Sequence, residues 1–200
     1  MSENIIIVDN FYEDPDKIRS IALSASYPTP ESTYTYPGKN STESYYPDDV
    51  HAKFESILRT KLLPADQNGY FRLSLQNDVH KQDIHVDPTW KWGAVIYLTD
   101  PAHCVPEGGT SFWRHNTLQM DSCPKTSEEA EFYGYSCYEE ARLTIVYEEG
   151  LDRSKWTRYL LCPMKYNRLI LFKTYLWHSH NYNFGTDLND GRLVQLFFFN

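Results

Sequence analysis

From Gly69 onward the chain is cut into short runs of aromatic and β-branched residues separated by Gly, Pro, Asn and Asp, and this restricts the fold more than any other feature. Such runs read as strands, because branched and aromatic side chains suit a pleated surface and the intervening residues favour turns. The predicted strands are Tyr70–Gln76, Ile84–Asp87, Gly93–Leu98, Thr110–Arg114, Arg142–Tyr147, Arg158–Cys162, Arg168–Phe172 and Leu193–Phe199. A further short strand is expected at Ile5–Val8, and two helices follow it. Asp14-Pro15 supplies an N-cap with proline at the first helical position. Ile18, Ile21, Ala22 and Ala25 then recur at helical spacing, and Pro28 closes that helix. The second helix starts at Asp48-Asp49, buries Val50, Phe54, Ile57, Leu58 and Leu62, and stops at Pro64. Two helices followed by many strands predict a mainly β, α+β chain built around a sandwich or barrel.

Length fits one domain over residues 1–200, with the strand-rich core at about 69–200. Thr29–Pro47 reads as a loop whose Tyr34, Tyr36, Tyr45 and Tyr46 form either a surface cluster or a substrate-facing lid. The acidic stretch at about 115–156 reads as an insertion between core strands, with Ser127–Glu131 and Glu139–Ala141 as candidate helical pieces. The apolar share of 41% and the aromatic share of 16% are enough for a packed core. Nineteen Lys and Arg against 27 Asp and Glu give a net charge of −8 with no basic run, which argues against nucleic acid as a partner. No apolar run approaches the roughly 18 residues of a membrane helix, and Met1-Ser2-Glu3-Asn4 does not open like a secretory signal. Cys104, Cys123, Cys137 and Cys162 form no CxxC pair, so reduced thiols and a cytoplasmic location are expected.

Three of the seven histidines carry chemical information: His85, His178 and His180. In an extended Ile84-His85-Val86-Asp87, residues two apart share a face, so His85 and Asp87 project together while Ile84 and Val86 turn to the apolar side. One imidazole and one carboxylate on one face are two thirds of a facial triad, the ligand set that suits non-haem Fe(II). The third ligand must come from elsewhere, and Trp177-His178-Ser179-His180 can supply it. Arg192 opens the last strand, where a guanidinium is able to pair bidentately with a carboxylate. The paired glycines of Gly108-Gly109-Thr110 allow a tight turn into a closely packed strand.

In this order, His85-Val86-Asp87, Ala94–Leu98, Gly108–Trp113, Pro163–Phe172, His178 and Gly191-Arg192, the chain resembles the Fe(II)- and 2-oxoglutarate-dependent oxygenases. The likeness is strongest to the prolyl-4-hydroxylase-like branch, within it to a little-characterised bacterial subgroup, and spans roughly residues 70–200. The resemblance implies a double-stranded β-helix, a jelly roll of the cupin-like type with flanking N-terminal helices. It implies Fe(II) held by His85, Asp87 and His178, with 2-oxoglutarate and O2 as cosubstrates. Arg192 then meets the distal carboxylate of 2-oxoglutarate, with Lys173 as the alternative cation. A small-molecule or amino-acid/peptidyl substrate is oxidised, with hydroxylation favoured because halogenases of the family lack the carboxylate that Asp87 provides.

Two departures stand out. Asp87 and His178 are far apart, which the insertion explains, and the gap from His178 to Arg192 is long for the family. His178 is favoured as the third ligand because it directly follows Tyr175-Leu176-Trp177, and His180 is kept as a neighbouring or substrate contact. Gln76 occupies the place where many relatives have a cosubstrate-binding Tyr, and Tyr97 either donates its phenol to the same ligand or only packs the barrel. Trp90 and Trp113, with Trp92 and Trp177 behind them, are candidate walls of the substrate pocket. Two other readings stay open: a catalytically silent jelly roll that binds a ligand, and a zinc hydrolase using the same His/Asp/His set.

Overall fold

The computed structural model describes residues 4–29, 37–79 and 81–200. Tyr34, Tyr36 and His80 lie outside the described residues. Two antiparallel sheets make the frame. The larger runs β1–β7–β4–β9–β3–β2, formed by Ile5–Val8 (β1), Lys39–Ser44 (β2), Tyr70–Ser74 (β3), Trp92–Tyr97 (β4), Leu169–Lys173 (β7) and Arg192–Phe199 (β9). The smaller runs β6–β5–β8, formed by Thr110–His115 (β5), Trp156–Cys162 (β6) and His178–His180 (β8). The non-sequential strand order is that of a double-stranded β-helix, so the expected jelly roll is the observed fold.

Alternation along the strands of the large sheet separates two cores. One face of the sheet sends Leu193 and Phe197 of β9, Ala94 and Ile96 of β4, and Leu169 and Leu171 of β7 against helix α1 (Pro15–Ser24) and helix α2 (Asp48–Leu58). Phe54 of α2 is fully buried there, its ring 4.9 Å from Phe197 and 4.8 Å from Phe199. The opposite face, with Tyr97, Ile170, Phe172 and Val194, meets Phe112 and Cys162 of the small sheet. α1 begins as its sequence predicts: Asp14 accepts from the Lys17 N–H and Pro15 opens the helix. α2 ends earlier than Pro64, at Leu58, because Arg59 takes the left-handed conformation (φ 54°) that stops a helix. Leu62 stays buried on the segment that follows.

Three expectations need correction. Arg142–Tyr147 is not a strand. Helix α4 (Tyr138–Thr144) covers its first half and a π-helical turn, Ile145–Glu149, its second. Glu139 and Glu140 open that helix, and Ala141 and Ile145 are buried one turn apart while Leu143 and Tyr147 face solvent. The real period is helical, and the β-branched composition misled. Ile84–Asp87 forms no regular strand either. It makes a single bridge, His85 to His178, yet stays extended enough for Ile84 and Val86 to be buried and His85 and Asp87 to share the other side. Thr29–Pro47 is not all loop: β2 lies within it, an edge strand with a register shift between Asn40 and Ser44. Its sequence, Lys-Asn-Ser-Thr-Glu-Ser, has no apolar alternation to betray it. Tyr45 and Tyr46 pack onto the helix-side core.

The segment between β5 and β6 is helical where helix was expected, with α3 (Ser127–Phe132) and then α4. It covers a third cluster of Ile84, Val86, Trp113, Ile145, Trp156 and Trp177. All four cysteines are free thiols. Among the described residues no helix is long and apolar enough to cross a membrane.

Because the fully buried Phe54 ring bridges α2 to both Phe197 and Phe199, Phe54→Ala is expected to lower stability by about 3–5 kcal/mol, the usual cost of deleting a buried aromatic ring. Chemical denaturation monitored by tryptophan fluorescence measures it.

Candidate active site

Two segments far apart in sequence meet at the mouth of the jelly roll. The His85 N–H donates to the His178 carbonyl at 2.9 Å and the His178 N–H to the His85 carbonyl at 3.0 Å, a reciprocal antiparallel pair. Their rings lie 4.4 Å apart. Asp87 is held alongside by its own N–H, which donates to the Thr174 carbonyl at 3.0 Å. One ligand atom from each of His85, Asp87 and His178 falls within 4.8 Å of the others, a spread that one metal ion can span.

The tautomers follow from the hydrogen bonds. His85 Nδ1 faces the Asp83 carbonyl at 2.8 Å and His178 Nδ1 faces the Leu176 carbonyl at 2.8 Å. A carbonyl only accepts, so both Nδ1 atoms carry the proton and the lone pair of a neutral ring sits on Nε2. Both Nε2 atoms point to the carboxylate: His178 Nε2 is 3.2 Å from Asp87 Oδ2, and His85 Nε2 is 3.9 Å from Oδ1. Burial, reinforced by the neighbouring His178, pushes the His85 imidazole down to about 4, so it is neutral at neutral pH as a metal ligand must be. Burial pushes the Asp87 carboxyl up, but its contact with the His178 imidazole outweighs burial and holds the group below the usual carboxylate range.

The triad opens into a cavity of about 250 Å3. The barrel-facing residues of β9, Arg192, Val194, Leu196 and Phe198, run along it. Phe172, whose ring is 4.6 Å from His178, marks the metal end. Arg192, in register with Ser74, marks the other. Arg192 is 4% exposed, and its Nε donates to the Gly108 carbonyl at 2.8 Å. Its guanidinium carbon lies 5.8 Å from the centre of the Tyr97 ring. Among the described residues no carboxylate pairs with it, and burial pulls it below its ordinary value. Gly109 is required at that turn: a Cβ there would fall inside van der Waals contact of the Cys162 carbonyl.

The remaining candidates divide. His180 lines the same cavity, in register with Thr110. Tyr97 lies under Arg192 with its hydroxyl 2.8 Å from Thr110 Oγ1, and burial pushes its phenol up to about 12. Gln76 falls beyond the end of β3, where its N–H donates to Gly185, and it does not line the cavity. Trp113 and Trp177 are buried in the cluster under the insertion, Trp113 donating to Ser179 Oγ at 3.0 Å. Lys173 sits over Trp92, 3.8 Å from its ring centre, away from the cavity. Trp90 lines a neighbouring cavity. Missed from sequence were Thr110, Arg72 and Ser74, which line the first cavity. Arg72 and Ser74 share a strand face with Gln76, so alternation along β3 was the available signal. Arg72 is held by the Pro37 carbonyl at 2.9 Å and by Asn40 Oδ1 at 2.9 Å.

The ligand-bearing segment leans on the insertion. The Ile84 N–H donates to the Gly150 carbonyl at 3.1 Å. A Cβ on Gly150 would sit 2.5 Å from the Val146 carbonyl oxygen and 2.7 Å from that of Ile84. Gly150→Ala is therefore expected to lower stability by about 1–3 kcal/mol, as overpacking does, and to weaken divalent-metal binding by shifting the chain that carries His85. Thermal melts and metal titration of the same variant check both.

Solved structures share this architecture. HygX from Streptomyces hygroscopicus, crystallised with nickel and 2-oxoglutarate, is 14% identical, covers 98% of this chain and 82% of its own, and superposes with a TM-score of 0.56. SnoN, a non-heme alpha ketoglutarate dependent epimerase from nogalamycin biosynthesis, is 12% identical, covers 98% of this chain and 78% of its own, with a TM-score of 0.54. The carbocyclase SnoK, from the same biosynthesis, is 10% identical with a TM-score of 0.50, covering 98% of this chain and 79% of its own. At these identities the likeness is one of fold. No curated protein matches the sequence. The sequence profile of a family of unknown function, DUF6445, matches residues 1–199, and the chain belongs to that family.

Proposed function

We propose that the protein is an Fe(II)- and 2-oxoglutarate-dependent oxygenase that hydroxylates a C–H bond of a small-molecule or amino-acid/peptidyl substrate. The observation that carries the reading is the pairing of two features in one cavity: a convergent His85/Asp87/His178 set, and a buried Arg192 for which no carboxylate is found among the described residues. A buried guanidinium without an anion is costly, so the cavity is built for one. Two imidazoles that present Nε2 and one carboxylate suit Fe(II) and leave coordination positions for other ligands.

His85 Nε2, His178 Nε2 and an Asp87 oxygen would hold the metal, and Arg192 would take the distal carboxylate of 2-oxoglutarate in a charge-assisted bond. Bound iron with 2-oxoglutarate and O2 supplies oxidation of an unactivated C–H bond, with succinate and CO2 as coproducts. Tyr97 supports the Arg192 guanidinium from below and Thr110 anchors the Tyr97 hydroxyl, so the cation is oriented before any ligand arrives. The carbonyls of Asp83 and Leu176 keep both imidazoles in the ligating tautomer. Val194, Leu196 and Phe172 keep the space between triad and arginine apolar, which shields it from water. Four free thiols suit a reducing compartment such as the cytoplasm. A zinc hydrolase built on the same triad would leave Arg192 without a counter-charge, and a silent binding module has no use for a complete ligand set.

Anaerobic addition of Fe(II) and then 2-oxoglutarate is expected to produce a weak visible charge-transfer band that needs both. His178→Ala should abolish the band and His180→Ala should keep it. Arg192→Leu should weaken 2-oxoglutarate binding by about 10–100-fold, the loss expected for a buried charged hydrogen bond. Folded protein that forms no band would leave the silent and zinc readings in its place.

A further inference from the structure

Beside the triad lies a second cavity, of about 320 Å3, lined by Gln82, Thr89, Trp90, Arg142, Val146 and Tyr147 among others. It shares Asp87, Gln67 and Phe198 with the first, so the two are neighbours that both border the triad residue Asp87. One wall is made by the 82–90 segment that carries His85 and Asp87. The opposite wall is made by α4 and the π-helical turn, both from the segment between β5 and β6. That wall is fixed rather than loose. Glu149 is hydrogen-bonded by His115 and lies 3.1 Å from Lys155 Nζ, and its carbonyl accepts from Trp156 Nε1 at 3.0 Å. Single-turn π-helices recur at functional sites.

The chemistry of the lining limits what fits. Asp87 and Arg142 are the charged side chains among the residues lining this cavity. Asp87 belongs to the triad, so the charge offered to a guest is the Arg142 guanidinium, in a chain whose net charge is −8. Arg142, whose side chain is 18% exposed, is held one helical turn away by both oxygens of Glu139, at 2.5 and 3.4 Å, and that carboxylate side chain is 56% exposed. A pair held by so exposed a carboxylate is weak, so a carboxylate arriving in the cavity can replace it. Trp90 and the exposed Tyr147 add two rings, and Gln67 and Gln82 add amides.

We infer that this second cavity receives the substrate, and that the substrate is a carboxylate-bearing molecule with a flat apolar body. Its carboxylate pairs with Arg142, its body packs on Trp90 and Tyr147, and the carbon to be oxidised lies toward Asp87, which borders both cavities. This rests on the oxygenase reading and names the substrate class for that centre.

The test uses the full chain loaded with Ni(II) and 2-oxoglutarate. Three carboxylates, 3-phenylpropanoate, indole-3-acetate and N-acetyltyrosine, are titrated against their matched carboxamides and followed by tryptophan fluorescence and calorimetry. At least one acid is expected to bind ten-fold or more tightly than its amide. Arg142→Gln should erase that preference, and Arg142→Lys should retain part of it. Tyr147→Ala, at an exposed position, should weaken acid and amide alike. Equal binding of acids and amides, no binding by any of the set, or a preference unchanged in Arg142→Gln overturns the inference. If the Fe(II)/2-oxoglutarate band forms normally in those cases, the oxygenase reading stands and only the substrate class falls. If the band never forms, both fall together.

Discussion

The reciprocal backbone pair between His85 and His178 is the contact on which the site depends. It joins a segment that follows β3 to β8, so two ligands far apart in sequence are placed side by side by main-chain hydrogen bonds rather than by side-chain packing alone. Each histidine then gives its Nδ1 proton to a carbonyl two residues earlier, Asp83 for one and Leu176 for the other. The same local device, repeated on both segments, aims two Nε2 atoms at one carboxylate. Orientation of this kind lowers the cost of holding a metal, because the rings do not have to be ordered on binding.

The two sheets divide labour around that contact. The large sheet is anchored from behind by α1 and α2, through Phe54, Phe197 and Phe199, which leaves its other face free to line a cavity. The small sheet, short and three-stranded, closes over that face and brings Thr110, His178 and His180 to the cavity. The insertion then braces the ligand segment from outside, by the bond between Ile84 and Gly150. Charge follows the same plan. The chain as a whole is acidic, yet Arg72, Arg142 and Arg192 line the two cavities against a single carboxylate that belongs to the triad.

Much of this was legible in the residues. The alternation of Ile84-His85-Val86-Asp87 states which pair shares a face, and it survives although the segment is not a regular strand. The Gly-Gly turn before Thr110 was readable as a close approach of two backbones. Other parts were hidden for physical reasons. Arg142–Tyr147 has strand-like composition, but its fate is decided by the acidic first turn of α4 and by the burial of Ala141 and Ile145 one turn apart. β2 is held by pairing to β3, a contact that its polar sequence does not announce.

The sequence by itself determined the chemistry available: which histidines stand beside a carboxylate, that an arginine opens the last strand, and that the chain alternates enough to make a two-sided sheet. These are properties of neighbours along the chain, where period and residue type suffice. Only the tertiary structure decided which groups meet. It placed Arg192 rather than Lys173 in the cavity, because β9 turns its alternate residues inward while Lys173 packs over Trp92. It withdrew Gln76 from the site and put Arg72 and Ser74 there, because β3 ends at Ser74. It set Trp90 in one cavity with Arg142 and Tyr147, residues some fifty positions further along the chain, because the insertion folds back onto the ligand segment. Side-chain meetings of that kind depend on long-range pairing, and no local pattern encodes them.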